Sequence, residues 1–242
     1  VRVCRVDVPS AVLGTRTAVS AALPGSSPPS GVLYLLHGLG EDDGAWLRRS
    51  AVGELAEGRA LALVMPFLGA SFGVDEAHGR AYGTFLAREL ADLVQRHLGL
   101  SAPSGRTFVA GVSMGGYAAV RWALTTPARF AAAASLSGSL DIADPERYRR
   151  RPQLMARLFG DRPAAGSADD LLALAALRAE PGPALYVACG RDDAGHLAEA
   201  GRFVAAARTA GRDVTLDVGP GGHDWAYWDA AIRRVLAWLP LP

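Results

Sequence analysis

The chain contains no lysine; arginine carries all 25 of its positive charges across 242 residues. Beside the abundant alanine and glycine, that skew reads as coding bias rather than chemistry, but it removes any Walker-type phosphate-binding lysine. Cysteine is nearly as scarce. Cys4 and Cys189 cannot form a zinc site together, and two unpaired thiols are expected in preference to a disulfide. Neither stands at a strand-to-helix turn beside a base, so neither reads as a nucleophile. No set of His, Cys and Asp has metal-ligand spacing, so no metal and no cofactor are expected. A surplus of one charge is missing too: the formal net charge of +1 makes no electrostatic case for nucleic acid or an anionic membrane. No apolar run approaches the roughly 20 residues of a membrane span. The opening Val1-Arg2-Val3-Cys4 lacks the apolar stretch of a signal peptide, so a cytoplasmic location is expected, although a signal already removed would leave no trace.

What is present is ordinary globular composition, half hydrophobic and one-fifth charged. The length suits one large α/β domain spanning 1–242. Apolar runs alternate with helical patterns. Strands are expected over 2–8 and 15–23, divided by Pro9 and Ser10, and the loop Pro24 to Gly31 follows. Further strands are expected at 32–36, 60–65, 106–111, 130–136 and 184–189, with a last one through Val214, Leu216 and Val218. Helices are expected over 84–98, where Gly99 stops the pattern, over Ala194 to Thr209, and over 225–238, ended by Pro240. About eight strands separated by helices predict a mostly parallel sheet covered on both faces. Residues 141–180 break the rhythm with a basic run (Arg147, Arg149, Arg150, Arg151) and a Pro/Gly/Ser stretch. This segment reads as a solvated excursion or as a cap insert over the ligand end of the sheet.

The most informative string is Gly111-Val112-Ser113-Met114-Gly115-Gly116. It follows an apolar strand and opens an Ala-rich helix, which is the context that gives G-x-S-x-G its meaning. A serine hydroxyl is a poor nucleophile until a base can reach it, and a sharp turn between small residues lifts it clear of the sheet. The order expected downstream is acid, then base. Asp192 and Asp193 both follow the strand at 184–189; Asp193, directly before a helix, is the preferred acid, and Asp192 is the competitor that would leave Asp193 as a helix cap. His223, in Gly222-His223-Asp224-Trp225, is the only histidine in a loop downstream of the acid and is assigned as base. His37 precedes the serine, His97 falls on a helix, and His78 and His196 have no partner suggested by spacing. Backbone N–H groups of Met114, after the nucleophile, and Leu39, after the third strand, are the candidate oxyanion donors. The rival signal is Gly38-Leu39-Gly40-Glu41-Asp42-Asp43-Gly44, which approximates a dinucleotide fingerprint. Three successive carboxylates would repel a pyrophosphate there, and no acid ends the next strand to bind a ribose.

Taken together, Tyr34 to Leu39, Gly111 to Tyr117, Cys189 to Asp193 and Gly222 to Trp228 resemble the esterase D-like branch of α/β-hydrolases. That branch includes tributyrin-type carboxylesterases, S-formylglutathione hydrolases and mycolyltransferases. Trp46, Ala123 to Thr126 and Ser135 to Gly138 make small tributyrin-type esterases the nearest in style. The resemblance implies an α/β-hydrolase fold, Ser113, Asp193 and His223 as triad, and Leu39 and Met114 as oxyanion donors. It implies a small-molecule ester as partner, and a homo-oligomer stays open. The expected activity is hydrolysis of short-chain acyl esters through an acyl-enzyme. An acyltransferase or thioesterase with the same triad, or a binding module of this fold, is the alternative. Trp46, Tyr82 and Trp225, with Phe67, Phe72 and Trp228, are candidate pocket residues. An uncharged acyl chain is expected because no basic cluster converges on the motif loops.

Overall fold

The computed structural model describes residues 1–25, 28–177 and 182–241. Ser26 and Ser27 of the expected loop, and residues 178–180 of the expected excursion, lie outside the described residues. Eight strands form one sheet: β1 (Arg2–Ser10), β2 (Thr15–Leu23), β3 (Gly31–Leu36), β4 (Leu61–Pro66), β5 (Thr107–Val112), β6 (Ala132–Leu136), β7 (Ala184–Gly190) and β8 (Val214–Gly219). Their order is β1-β2-β4-β3-β5-β6-β7-β8. β2 is antiparallel to both β1 and β4, and every other neighbouring pair is parallel.

Side chains alternate between two faces along each strand, so a strand buried on both sides must be apolar throughout. β3 shows it. Val32, Tyr34 and Leu36 point into one core with Leu90 and Leu93 of α4 (Leu90–Leu98), Tyr117 of α5 (Met114–Thr125) and Phe203 of α9 (Ala194–Thr209). Leu33 and Leu35 point into the other, which holds Trp46 of α1 (Ala45–Arg49), Val52 of α2 (Val52–Glu57) and Trp225, Ile232 and Val235 of α10 (Trp225–Trp238).

Differences from expectation are local. β1 runs on through Pro9 and Ser10, where Pro9 lies opposite Arg16, because an edge strand tolerates a residue without an N–H. The helix expected over 84–98 begins as a single turn, α3 (Tyr82–Thr84), widens into a π-segment (Phe85–Glu89), and continues as α4 until Gly99, at φ 66°, ends it. The 141–180 segment contains three short helices, α6 (Pro145–Arg150), α7 (Pro152–Phe159) and α8 (Leu171–Ala176).

Candidate active site

Four loops leave the C-terminal ends of β3, β5, β7 and β8 and meet at one edge of the sheet. The tightest is the turn from β5 into α5. Ser113 takes φ 52° and ψ −115°, a conformation that ordinary side chains rarely adopt. Backbone bonds hold it there: Ser113 N–H donates to Leu136 C=O at 2.9 Å, and Tyr117 and Ser139 N–H groups both donate to Ser113 C=O. A Cβ on Gly111 would collide with the Gly115 carbonyl, and one on Gly115 with the Leu36 and His37 carbonyls. Both glycines are therefore required by close backbone approach.

β7 and β8 stay joined beyond their ends, where Arg191 N–H donates to Gly219 C=O and Asp192 N–H to Gly221 C=O at 3.0 Å. This clamp brings the acid loop beside the histidine loop. His223 Nδ1 lies 2.7 Å from Asp193 Oδ2, and its Nε2 lies 2.9 Å from Ser113 Oγ. The histidine has Nδ1–H donating to the carboxylate and Nε2 free to accept from the serine. Trp228 meets its ring edge-on with centroids 5.0 Å apart. Of the two aspartates it is Asp193 that turns inward. Although it occupies the N-cap position of α9, its side chain makes no cap bond, whereas Asp192 is exposed. Burial pushes the Asp193 carboxyl up, yet hydrogen bonds from His196 and His223 and the attraction of their charge hold it well below the usual carboxylate range.

His196, which spacing left without a partner, belongs to this cluster, with Nδ1 2.8 Å from Asp193 Oδ1. It follows Asp193 by three residues in the first turn of α9, so an i, i+3 helical pair was the available signal. Asp193, His196 and His223 thus offer donor atoms within 4.8 Å of one another, a metal-sized grouping that spacing alone did not predict. The hydrogen bonds account for the arrangement as it stands. The other histidines lie elsewhere. His37 is buried, with Nδ1–H donating to Gly38 C=O at 2.8 Å and Nε2 accepting from Leu68 N–H at 2.9 Å. Burial lowers its pKa, so it is a neutral strut. His78 and His97 are exposed.

Leu39 and Gly40 border the cavity beside Ser113. Among the described residues, neither the Leu39 nor the Met114 N–H donates to a protein acceptor. The three carboxylates after Gly40 are all engaged. Glu41 accepts from Gly38 N–H at 3.0 Å and from Trp225 Nε1–H at 2.6 Å. Asp42 pairs with Arg48, and Asp43 with Arg5 and Ser20. The dinucleotide resemblance of this string is thereby explained as loop bracing. Spacing gave no sign of Glu41.

The cavity over Ser113 measures about 690 Å³. Of the pocket aromatics expected, Phe72 lines it, but Trp46, Tyr82 and Trp225 do not. Trp46 is fully buried between sheet and helix with Nε1–H on Leu36 C=O, Tyr82 packs in the core on the other face of the sheet, and Trp225 packs edge-on against Trp46. Core burial took all three. The premise of an uncharged surrounding is also corrected: Arg147, Arg150 and Arg151, in and just after α6, line the cavity. Asp144, Glu146 and Glu199 line it with them. Arg147 pairs with Glu199 at 2.6 Å and Arg150 with Glu146 at 2.8 Å, so most of this charge is internally neutralised.

The family model described as "Putative esterase" matches residues 10–239. An acetyl esterase of Caldicellulosiruptor saccharolyticus is 30% identical over 261 residues, covering 98% of this chain and 97% of that protein. Among solved structures, the Staphylococcus aureus fluorophosphonate-binding serine hydrolase FphF superposes with a TM-score of 0.86 at 26% identity, covering 98% of each chain. S-formylglutathione hydrolase (FrmB) of the same organism gives 0.82 at 27% identity, again over 98% of each chain.

Proposed function

Because the chain belongs to this esterase family and is a carboxylic-ester hydrolase of α/β-hydrolase fold, we propose that Ser113, His223 and Asp193 carry its reaction on short-chain, uncharged acyl esters. The observation that carries this reading is the continuous hydrogen-bonded line from Ser113 Oγ through His223, both of which line the cavity, to Asp193. Ser113 Oγ attacks the ester carbonyl while His223 Nε2 takes its proton. The tetrahedral oxyanion is held by the Leu39 and Met114 N–H groups, which are free to donate. The imidazolium then hands its proton to the departing alkoxide, and the C–O ester bond breaks to leave acyl-Ser113. Water, deprotonated by His223, releases the acid by the reverse sequence. Asp193 stays ionised throughout and stabilises the imidazolium.

Segment 141–177 caps the cavity in this reading, since α6 supplies part of its wall. Phe72 and Leu39 offer apolar contact for a short acyl chain, and the paired charges opposite make a polar wall for the alcohol. A thioester is the second reading, favoured by the likeness to S-formylglutathione hydrolase.

The test is hydrolysis of p-nitrophenyl esters from acetate to palmitate, with S-formylglutathione alongside. Turnover is expected to peak at short chains, and Ser113→Ala is expected to lower kcat on the order of 10⁴-fold or more with the fold intact. Retained turnover in that variant overturns the assignment. A preference for the thioester moves the substrate to the second reading.

A further inference from the structure

Asp193 serves two histidines. Its Oδ2 accepts from His223 Nδ1–H at 2.7 Å and its Oδ1 from His196 Nδ1–H at 2.8 Å. The two rings are stacked, with centroids 4.2 Å apart and 20° between planes. Each turns its Nε2 toward a serine: His223 toward Ser113 at 2.9 Å, and His196 toward Ser139 at 3.4 Å. The carboxylate between them is only 9% exposed. One buried negative charge therefore faces two imidazoles in near-equivalent positions.

We propose that His196 is a positioning residue for the esterase reaction, pinning the second oxygen of Asp193 so that the first stays aimed at His223. The inference rests on the roles given above to Ser113, His223 and Asp193. A carboxylate anchored through one oxygen can swivel about its Cβ–Cγ bond, and the His196 N–H removes that freedom while leaving Oδ2 aimed at His223.

The other groups around His196 do not take its place on Asp193 Oδ1. Glu199, one turn further along α9, is neutralised by Arg147 of α6. Cys189 of β7 lies beneath Asp193, its thiol pushed up to about 12 by burial and the neighbouring carboxylate, so it stays uncharged. Ser139, after β6, is a hydroxyl. From the α6 side Asp144, Glu146, Arg150 and Arg151 face the same cavity with balanced charge, and Trp228 of α10 meets His223 with a ring edge.

The experiment compares the wild type with His196→Ala and His196→Gln on p-nitrophenyl acetate, taking kcat and kcat/KM for each. His196→Ala is expected to lose roughly tenfold to a hundredfold in kcat, the worth of a hydrogen bond to a charged group. His196→Gln keeps an N–H for Oδ1 and is expected to recover most of that rate. A Gln variant as slow as His196→Ala, or an Ala variant with wild-type kcat, overturns the proposal. Proton NMR of the wild type gives a readout independent of turnover and of whether His196→Ala folds. Two strongly downfield imidazole N–H signals are expected, one of them absent in His196→Gln; a single signal in the wild type overturns the proposal. If the wild type turns over no ester, the reading of the site fails, and the NMR result still decides whether His196 holds Asp193.

Discussion

His37 and His223 have similar sequence surroundings, each in a loop beside glycine after a strand, yet they hold opposite places. His37 is 1% exposed and uses both ring nitrogens on backbone groups. Replacing it by Ala would leave the Gly38 carbonyl and the Leu68 N–H without their partner in a buried site. A loss of roughly 2–5 kcal/mol is expected, read as a lower urea midpoint. His37 also makes stability depend on pH. Burial lowers its folded pKa, so the unfolded chain binds the proton more readily; its contribution is complete above the ordinary value of 6.5 and declines as pH falls below it. The wild type should therefore lose stability between about pH 7 and 5, with a smaller slope in His37→Gln. Identical slopes would show that His37 does not titrate with unfolding.

Among the elements, the loops after β3 and β8 are linked by Glu41, whose carboxylate joins Gly38 N–H to the Trp225 indole. Glu41→Ala is expected to lower kcat roughly tenfold, by loosening the Leu39 amide and the His223 loop together, with little change in thermal midpoint. Steady-state kinetics beside a melting curve check this, and an unchanged kcat would make the link ornamental. Much of this scale was legible beforehand. β3, β4 and β7 announced themselves because strands buried on both faces must be apolar throughout, and α9 and α10 because their ends carry Asp193, Asp224 and a terminal Pro240. The turn at Ser113 was legible because a strained conformation demands small neighbours at fixed spacing. The pocket was not. Trp46 and Trp225 are aromatic for the core, and sequence marks size and hydrophobicity without saying which way a side chain faces. Glu41 and the place of Arg147 in the cavity wall were missed because Trp225 and Glu199 reach them from distant elements, whose meeting depends on the strand order, whereas the i, i+3 pairing of His196 with Asp193 was there to be read.

For the molecule as a whole, the carboxylates with resolved shifts all move one way. Burial raises Asp193 and Asp229, but their hydrogen bonds and ion partners bring both below the ordinary range. Arg48 does the same for Asp42, and Gly25 N–H for Glu57. A depressed folded pKa means the unfolded chain takes up protons first, so this stability is complete above the ordinary carboxylate values and is lost as pH falls through the folded ones. The urea midpoint should thus fall steeply below about pH 4; a midpoint level from pH 5 to pH 3 would refute it. The chain order of the site carries a consequence for biosynthesis. A ribosome that has released everything through β8 has made the proposed nucleophile, acid and oxyanion amides, but the proposed base enters with the loop after β8, and α10 is tied down by Glu41 on Trp225 and by Asp229 on Ser50 and Ala51. On the proposed roles, a nascent chain released only as far as β8 carries an unarmed serine, because His223 follows that strand.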